Sequence, residues 1–474
     1  MGTREIQKPL TVFLLTMINV ATIGSIKNWP VTAEYGFSSI FYMVLASLVF
    51  FIPSALVAAE LSSTFPKLGG VFSWVKEAFG QRFGFLAAWL LWFQNIVWYP
   101  TILSFIAATF AYIFDPTLMN NQIYTFCFIL ILFWGVTLLN MKGMRVSGWI
   151  SSLGMIFGTL IPGLFIIILG LIWILTDRPA QIDLSVKSLI PDMSAPSNLV
   201  LFTGVMLSLA GIEMSAVHAR DVKNPKKDYP RAIFFSTLII LALSIPGILS
   251  IAVVVPKKEI SLVAGPMQAI TVFLNEYHLA FLVPIMGCLI AIGALASMST
   301  WIAGPTKGLL AAAREGELPP RFRKINRHQM PITLLIIQAI IVSCLSFMFI
   351  LFPGFNQAFW MLTAILSILY LLMYLLFFSA ALVLRYKKKQ SERPFKVPGG
   401  NYGIWIVCVL GFLSALFAIV IGIFPPEQIP FANKTLYVCL LLGGVILFSL
   451  GPTIILFFKK PAWNIRLEHE KDHP

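Results

Sequence analysis

Apolar positions along this chain fall into long unbroken runs, separated by short polar segments rich in Gly, Pro and basic residues. A run of at least ~18 apolar residues is long enough to cross the hydrocarbon core of a bilayer as a helix. Twelve such runs are predicted, at 10–33, 37–62, 83–113, 122–141, 149–175, 197–218, 232–255, 279–313, 331–352, 357–385, 403–424 and 435–458. The third, eighth and tenth exceed the ~20 residues a bilayer needs, so they are expected to tilt or protrude. The fold class that follows is an all-α polytopic membrane protein.

Two of the runs are interrupted. Span 1, LTVFLLTMINVATIGSIKNWP, carries a polar and small-residue cluster from Asn19 to Ser25, then Lys27 and Pro30. Span 6, LFTGVMLSLAGIEMSAVH, has Gly211 and Glu213 in its middle. Non-helical backbone at membrane depth survives only where protein or a water-filled cavity satisfies its polar groups. Taken singly, either break also fits glycine-mediated helix packing. Their matched placement, one opening each five-span half, points instead to an inverted-repeat secondary transporter with a site near the midplane. The expected organisation is a ten-helix transport core over residues 1–385, with repeats at about 9–175 and 197–385. Residues 386–474 then carry a cytoplasmic loop, helices 11 and 12 and a short tail.

Composition agrees. The chain is 58% hydrophobic and 11% charged, with a mean hydropathy of +0.87, whereas soluble domains carry about 25% charged residues. A soluble enzyme, a disordered protein and a disulfide-rich secreted protein are excluded together. The net charge of +14 would suggest a nucleic-acid partner in a soluble chain; here it reflects basic residues gathered on one face. Five basic residues fall in the other set of loops (Arg178, Lys187, Lys257, Lys258 and Lys434), Lys27 lies within span 1, and the other 28 of the 34 lie on the first face. The positive-inside rule therefore predicts both termini in the cytoplasm. Arg4 and Lys8 precede span 1 as in a signal peptide, but the run continues through Asn19 and Lys27 with no small-residue cleavage site, so an uncleaved span is expected. The five cysteines lie in apolar runs with no metal spacing and are expected as small core residues.

The dipeptide Gly-Lys, which a nucleotide-binding P-loop requires, does not occur, so no direct drive by ATP is expected. His469-Glu470-Lys471-Asp472-His473 is a literal HExxH, but it sits in a polar tail with no third ligand and reads as fortuitous. The sequon at Asn433 is treated as noise in the same way. No clustered His, Asp or Cys set lies within the spans, so neither an enzyme nor a cofactor is expected.

Four further segments are rich in turn-forming and basic residues: FPKLGGVFSWVKEAFGQRFGF before span 3, HARDVKNPKKDYPRAI after span 6, WIAGPTKGLLAAAREGELPPRFRKINRHQMP leaving span 8, and RPFKVPGG after span 10. Physics alone gives them tight turns and basic anchors at an anionic leaflet. Together, and in this order, they resemble the amino acid–polyamine–organocation superfamily of permeases, and within it most closely the glutamate/γ-aminobutyrate antiporter group. The resemblance covers essentially the whole chain. It implies a LeuT-like five-plus-five inverted repeat with two extra helices, and amino-acid binding at the broken helices 1 and 6.

Carried over residue by residue, the resemblance implies that the substrate carboxylate meets freed backbone at Thr22, Ile23, Gly24 and Ser25. The carbonyls of Ala210, Gly211 and Ile212 would face the α-amino group. Glu213 matches the glutamate that the family keeps after the glycine. Trp301 matches a lid over bound substrate, and Tyr370 and Tyr374 match two tyrosines of the glutamate/γ-aminobutyrate antiporter. Spaced i, i+4, these two share a helix face. Asn95 and Trp98 of span 3 are further candidates, although Trp98 and Tyr99 also fit interfacial anchors. The chain departs from the antiporter pattern at Lys27, where a tyrosine stands in that group, and at Ser297, where an acid stands. Only 14 residues follow Lys460, too few for that antiporter's long C-terminal plug.

The reading favoured is an inner-membrane amino-acid antiporter of the glutamate/γ-aminobutyrate type working by alternating access. Its partners are an amino acid, an exchanged amine or amino acid, protons and the lipid bilayer. An arginine/agmatine-type exchanger and a proton-coupled importer are the alternatives in the same class. A channel would need a ring of charges that the spans do not offer; an amino-acid sensor would bind without exchange. Lys27 and Glu213 lie within about one turn of the two breaks. A charge at the centre of a helix costs about 2.5–3.5 kcal/mol to insert, so either the two pair and couple protonation or gating to transport, or Lys27 snorkels outward past Pro30 and Glu213 is a structural polar contact.

Overall fold

The computed structural model describes residues 11–65, 70–142, 153–154, 156–191, 196–214, 222, 224–328, 330–460 and 463. Among these, every regular element is helical. Residues 66–69, much of the loop that follows the second break, and the tail with its HExxH lie outside the described set.

The first half opens with α1 (Val12–Ile23) and α2 (Trp29–Ala33), the two pieces of a broken segment. Then come α3 (Gly36–Thr64), a short α4 (Val71–Phe79), α5 (Gln81–Phe114), α6 (Gln122–Met141) and α7 (Ile156–Leu175). The second half repeats this order: a broken α8 (Phe202–Ser208), a long α9 (Pro225–Val254), a short α10 (Gly265–Glu276), then α11 (Val283–Arg314), α12 (Ile332–Ser346) and α13 (Phe355–Lys387). Helices α14 (Gly400–Ile421) and α15 (Lys434–Phe457) complete the fold. A short helix between the second and third long elements of each half was not anticipated, because each is too short to register as an apolar run.

Ten helices among the described residues are long and apolar enough to cross a membrane. The first and sixth predicted spans are not among them, because each is broken. The three runs predicted to be overlong do form the longest helices, α5, α11 and α13, at 34, 32 and 33 residues.

Each break has a local cause. Pro30 starts a new helix: lacking an N–H and clashing with the preceding turn, proline is tolerated in a first turn but not inside a helix, and α2 begins at Trp29. In the second break Gly211 adopts φ +120°, a backbone conformation that side-chain-bearing residues resist.

The interior is organised around α5 and α11, the third long element of each half, which pack on one another, and α13 packs along α5. Close approach depends on glycine where α7 crosses α11. A Cβ added to Gly158 would stand 2.2 Å from the Cα of Gly293, so the two backbones touch with no side chain between them. Four cysteines (Cys127, Cys288, Cys344 and Cys439) are exposed on outward helix faces, and only Cys408 is buried. The expectation of five core cysteines fails because the surroundings of a membrane helix are as apolar as its interior; hydrophobicity there does not report burial.

The face bearing the basic loops is tied together by ion pairs. Glu60, at the end of α3, is 2% exposed. Its Oε1 accepts from the guanidiniums of Arg385 and Arg393, at 2.7 Å each, and its Oε2 from the backbone N–H of Val397 at 2.9 Å. Lys76–Glu315 (2.5 Å), Lys388–Glu77 (2.8 Å) and Lys459–Glu317 (2.8 Å) join further elements on that face. Basic residues read from the motifs as lipid anchors, Arg393 foremost, thus include several held by acids within the protein. The Asn433 side chain caps α15, accepting from the Leu436 N–H at 2.9 Å, which gives that residue a structural role independent of the sequon.

Candidate functional site

The two breaks face a common cavity of about 30 Å³. Thr22, Ile23, Ser25 and Asn28 line it from the first break, and Leu207, Ser208 and Ala210 from the second. Gln94 and Trp98 of α5, Trp301 of α11, and Leu366 and Tyr370 of α13 close the remaining sides.

At the second break the polar groups are held from α13. Glu213 is 1% exposed. The Tyr370 hydroxyl donates to its Oε1 at 2.6 Å, and the Tyr374 hydroxyl donates to its Oε2. The same Tyr374 oxygen accepts from the Gly211 N–H at 2.8 Å. One phenol therefore satisfies both a backbone donor freed by the break and half of a buried carboxylate. The i, i+4 spacing on α13 makes this possible, with the two tyrosine rings 5.1 Å apart.

Trp301 stands between the breaks. Its ring lies edge-on to Tyr370 at 6.2 Å and tilted against Trp98 at 5.8 Å. A Cβ at Gly211 would come to 3.1 Å from Thr22 Cγ2 and 3.4 Å from the Trp301 ring, so the second break packs directly on the first and on the indole. Asn95 Nδ2 donates to the Trp301 carbonyl at 3.1 Å and to the Tyr99 hydroxyl at 2.8 Å.

Of the residues expected from sequence, Thr22, Ile23, Ser25, Trp98, Ala210, Trp301 and Tyr370 line this cavity. Asn95 sits behind it, on the Trp301 backbone. Gly24, Gly211, Ile212 and Tyr374 belong to the breaks and their brace. Ser297 lines a second, smaller cavity of about 10 Å³ with Ser25, Gly158 and Gly293. Tyr99 is fully buried and Trp98 faces the cavity, so neither is an interfacial anchor.

The expected pairing of Lys27 with Glu213 is not formed. Glu213 is drawn to α13 by its two tyrosines. Lys27, 1% exposed, holds its Nζ 5.9 Å from the ring centre of Trp98 and 5.2 Å from that of Phe359. Nearness to a break in sequence did not specify which neighbouring helix each side chain would meet. Gln94, by contrast, lines the cavity without having been anticipated; its only signal is a polar side chain one helical turn before Trp98.

Residues 8–446 match the family model for amino acid permeases. The chain is similar, at 44% identity over 96% of its length and 97% of the relative, to an uncharacterized transporter of Legionella pneumophila. It is 33% identical to a glutamate/gamma-aminobutyrate antiporter of Lactococcus lactis, over 95% of this chain and 90% of that one. A probable agmatine/putrescine antiporter of the same species is 24% identical over 89% of each chain.

Proposed function

The chain belongs to the amino acid permease family, in a glutamate/γ-aminobutyrate antiporter-like group, and on that footing we propose that it exchanges an amino acid for its decarboxylation product by alternating access. The observation carrying this reading is the cavity shared by the two helix breaks, lined by backbone, hydroxyl, amide and indole groups. An α-amino acid needs donors for its carboxylate and acceptors for its ammonium. Freed N–H groups around Thr22, Ile23, Gly24 and Ser25 take the first role. Carbonyls around Ala210, Gly211 and Ile212 take the second. Tyr370, Tyr374 and Glu213 hold the second break in shape, Asn95 positions Trp301, and Ser297 shapes the smaller cavity. Glu213, whose protonation changes what the two phenols donate to, is the group through which protons couple to exchange.

The protein is a multi-pass membrane transporter. We assign it to the inner membrane with both termini in the cytoplasm, on the strength of the one-sided distribution of basic residues. The transport core spans residues 1–385, and 386–474 supply the loop that reaches Glu60 together with α14 and α15.

Proteoliposomes preloaded with γ-aminobutyrate, glutamate, arginine or agmatine test the exchange. Uptake of labelled glutamate is expected only when a partner is present inside. Uptake that needs no internal substrate would make the protein an importer, and a preference for arginine with agmatine would move it to the other exchanger group.

Trp301→Ala is expected to lower exchange by at least ~10-fold, equivalent to about 1.4 kcal/mol of lost transition-state stabilisation. The yield of folded protein after extraction should hardly change, because the ring already borders unfilled space. Parallel losses of yield and exchange would instead identify Trp301 as a packing anchor.

A further inference from the structure

The donors at the cavity are unequally engaged. Thr22 donates its hydroxyl to the Ile18 carbonyl, Ser208 to Val205, and Tyr370 to Glu213. Gln94 lines the cavity and is 2% exposed, yet its Nε2 has no partner. Lys27 is 1% exposed, and among the described residues no carboxylate pairs with its ammonium, which rests against the rings of Trp98 and Phe359. Gln94 and Trp98 are one helical turn apart on α5, so they share a face. An unpaired amide donor therefore lines the cavity, and the Lys27 amine lies behind that lining, against the ring of Trp98.

Rings compensate a buried ammonium only in part, and an ionisable side chain within a membrane span ordinarily has a partner or a task. The acid nearest to expectation, Glu213, is taken by two phenols. The Gln94 amide lacks an acceptor, and the amine behind Trp98 would favour one that carries negative charge. A field from an ammonium also acts strongly through a poorly polarisable interior, disfavouring a substrate of net positive charge.

We propose that Lys27 and Gln94 are specificity-determining residues, Gln94 donating to the side-chain carboxylate of an acidic amino acid and Lys27 supplying the charge that selects it over neutral and cationic ones. The assignment rests on the amino-acid exchange proposed above and extends it to the chemistry of the side chain.

The test is counterflow in proteoliposomes at pH 7, comparing the parent with Lys27→Met, Lys27→Arg and Gln94→Leu, and reading the ratio of glutamate to glutamine transport. Glutamine has nearly the shape of glutamate without the charge. The parent should favour glutamate, and Lys27→Met and Gln94→Leu should each reduce that ratio by about tenfold or more, the worth of a charge-assisted hydrogen bond. Lys27→Arg should retain it, and arginine should begin to compete in Lys27→Met. If Lys27→Met is not recovered folded, the ratio in Gln94→Leu decides. An unchanged ratio in the folded variants, or a parent that favours glutamine or arginine, overturns the assignment while exchange itself stands. A parent that exchanges no amino acid overturns the antiport reading and this one with it.

Discussion

Glu60→Ala is expected to destabilise the folded protein by about 3–5 kcal/mol, the usual consequence of removing one partner from a buried ion pair. The carboxylate accepts from two guanidiniums and a backbone N–H. Arg385 and Arg393 keep hydrogen bonds to Asn401 and to the Leu384 carbonyl, but neither of those acceptors carries charge. Two like charges would then face each other across a buried gap. Glu60→Gln keeps one acceptor oxygen and should fall between the parent and the alanine variant. Thermal unfolding in detergent, followed by retention of a monodisperse species, measures the order. A melting temperature equal to the parent's for Glu60→Ala would show that the cluster contributes nothing to stability.

Tyr374→Phe is expected to harm exchange more than Tyr370→Phe, although the two side chains differ little in burial. Loss of the Tyr370 hydroxyl frees one oxygen of Glu213. Loss of the Tyr374 hydroxyl frees the other oxygen and also the Gly211 N–H. Each buried group left unsatisfied costs about 1–3 kcal/mol, so Tyr374→Phe should lower exchange about 10–100-fold. Because both groups meet at one hydroxyl, combining Tyr374→Phe with Glu213→Gln should cost less than the sum of the two single changes. Initial rates at matched protein density give the comparison. Equal losses in the two phenylalanine variants would mean that the Gly211 N–H is satisfied elsewhere and that the brace is dispensable.

What could be read from the sequence was local. Apolar run length located the long helices, and Pro30 and Gly211 located the breaks, since proline and glycine act on the backbone wherever they stand. Family resemblance placed Tyr370 and Trp301 at the cavity. Contacts distant in sequence were out of reach: Glu60 meets Arg385 and Arg393 across 325 and 333 positions, and nothing in RPFKVPGG announces a carboxylate near residue 60. Gln94 was hidden because a single polar side chain in a long apolar run does not show which way it faces. The Lys27–Glu213 pair failed for the same reason, since closeness to a break fixes depth in the bundle but not direction around it. The cysteines failed because period and hydropathy cannot separate a lipid-facing side from a protein-facing one.

The meeting of Gly158 and Gly293 bears on what would resist a shift of α7 along α11. Interlocked side chains resist sliding, because each must leave its notch and change rotamer before the next position is reached. Where bare backbone meets bare backbone there is no notch to leave. At the crossing of α7 and α11 a displacement would therefore have no interlocked side chain to free at this point of contact, which lies beside the small cavity that Ser25 shares with Ser297. Charged latches on the basic face and a bare backbone seam at the crossing thus hold their neighbours by opposite means, one by paired side chains and the other by their absence.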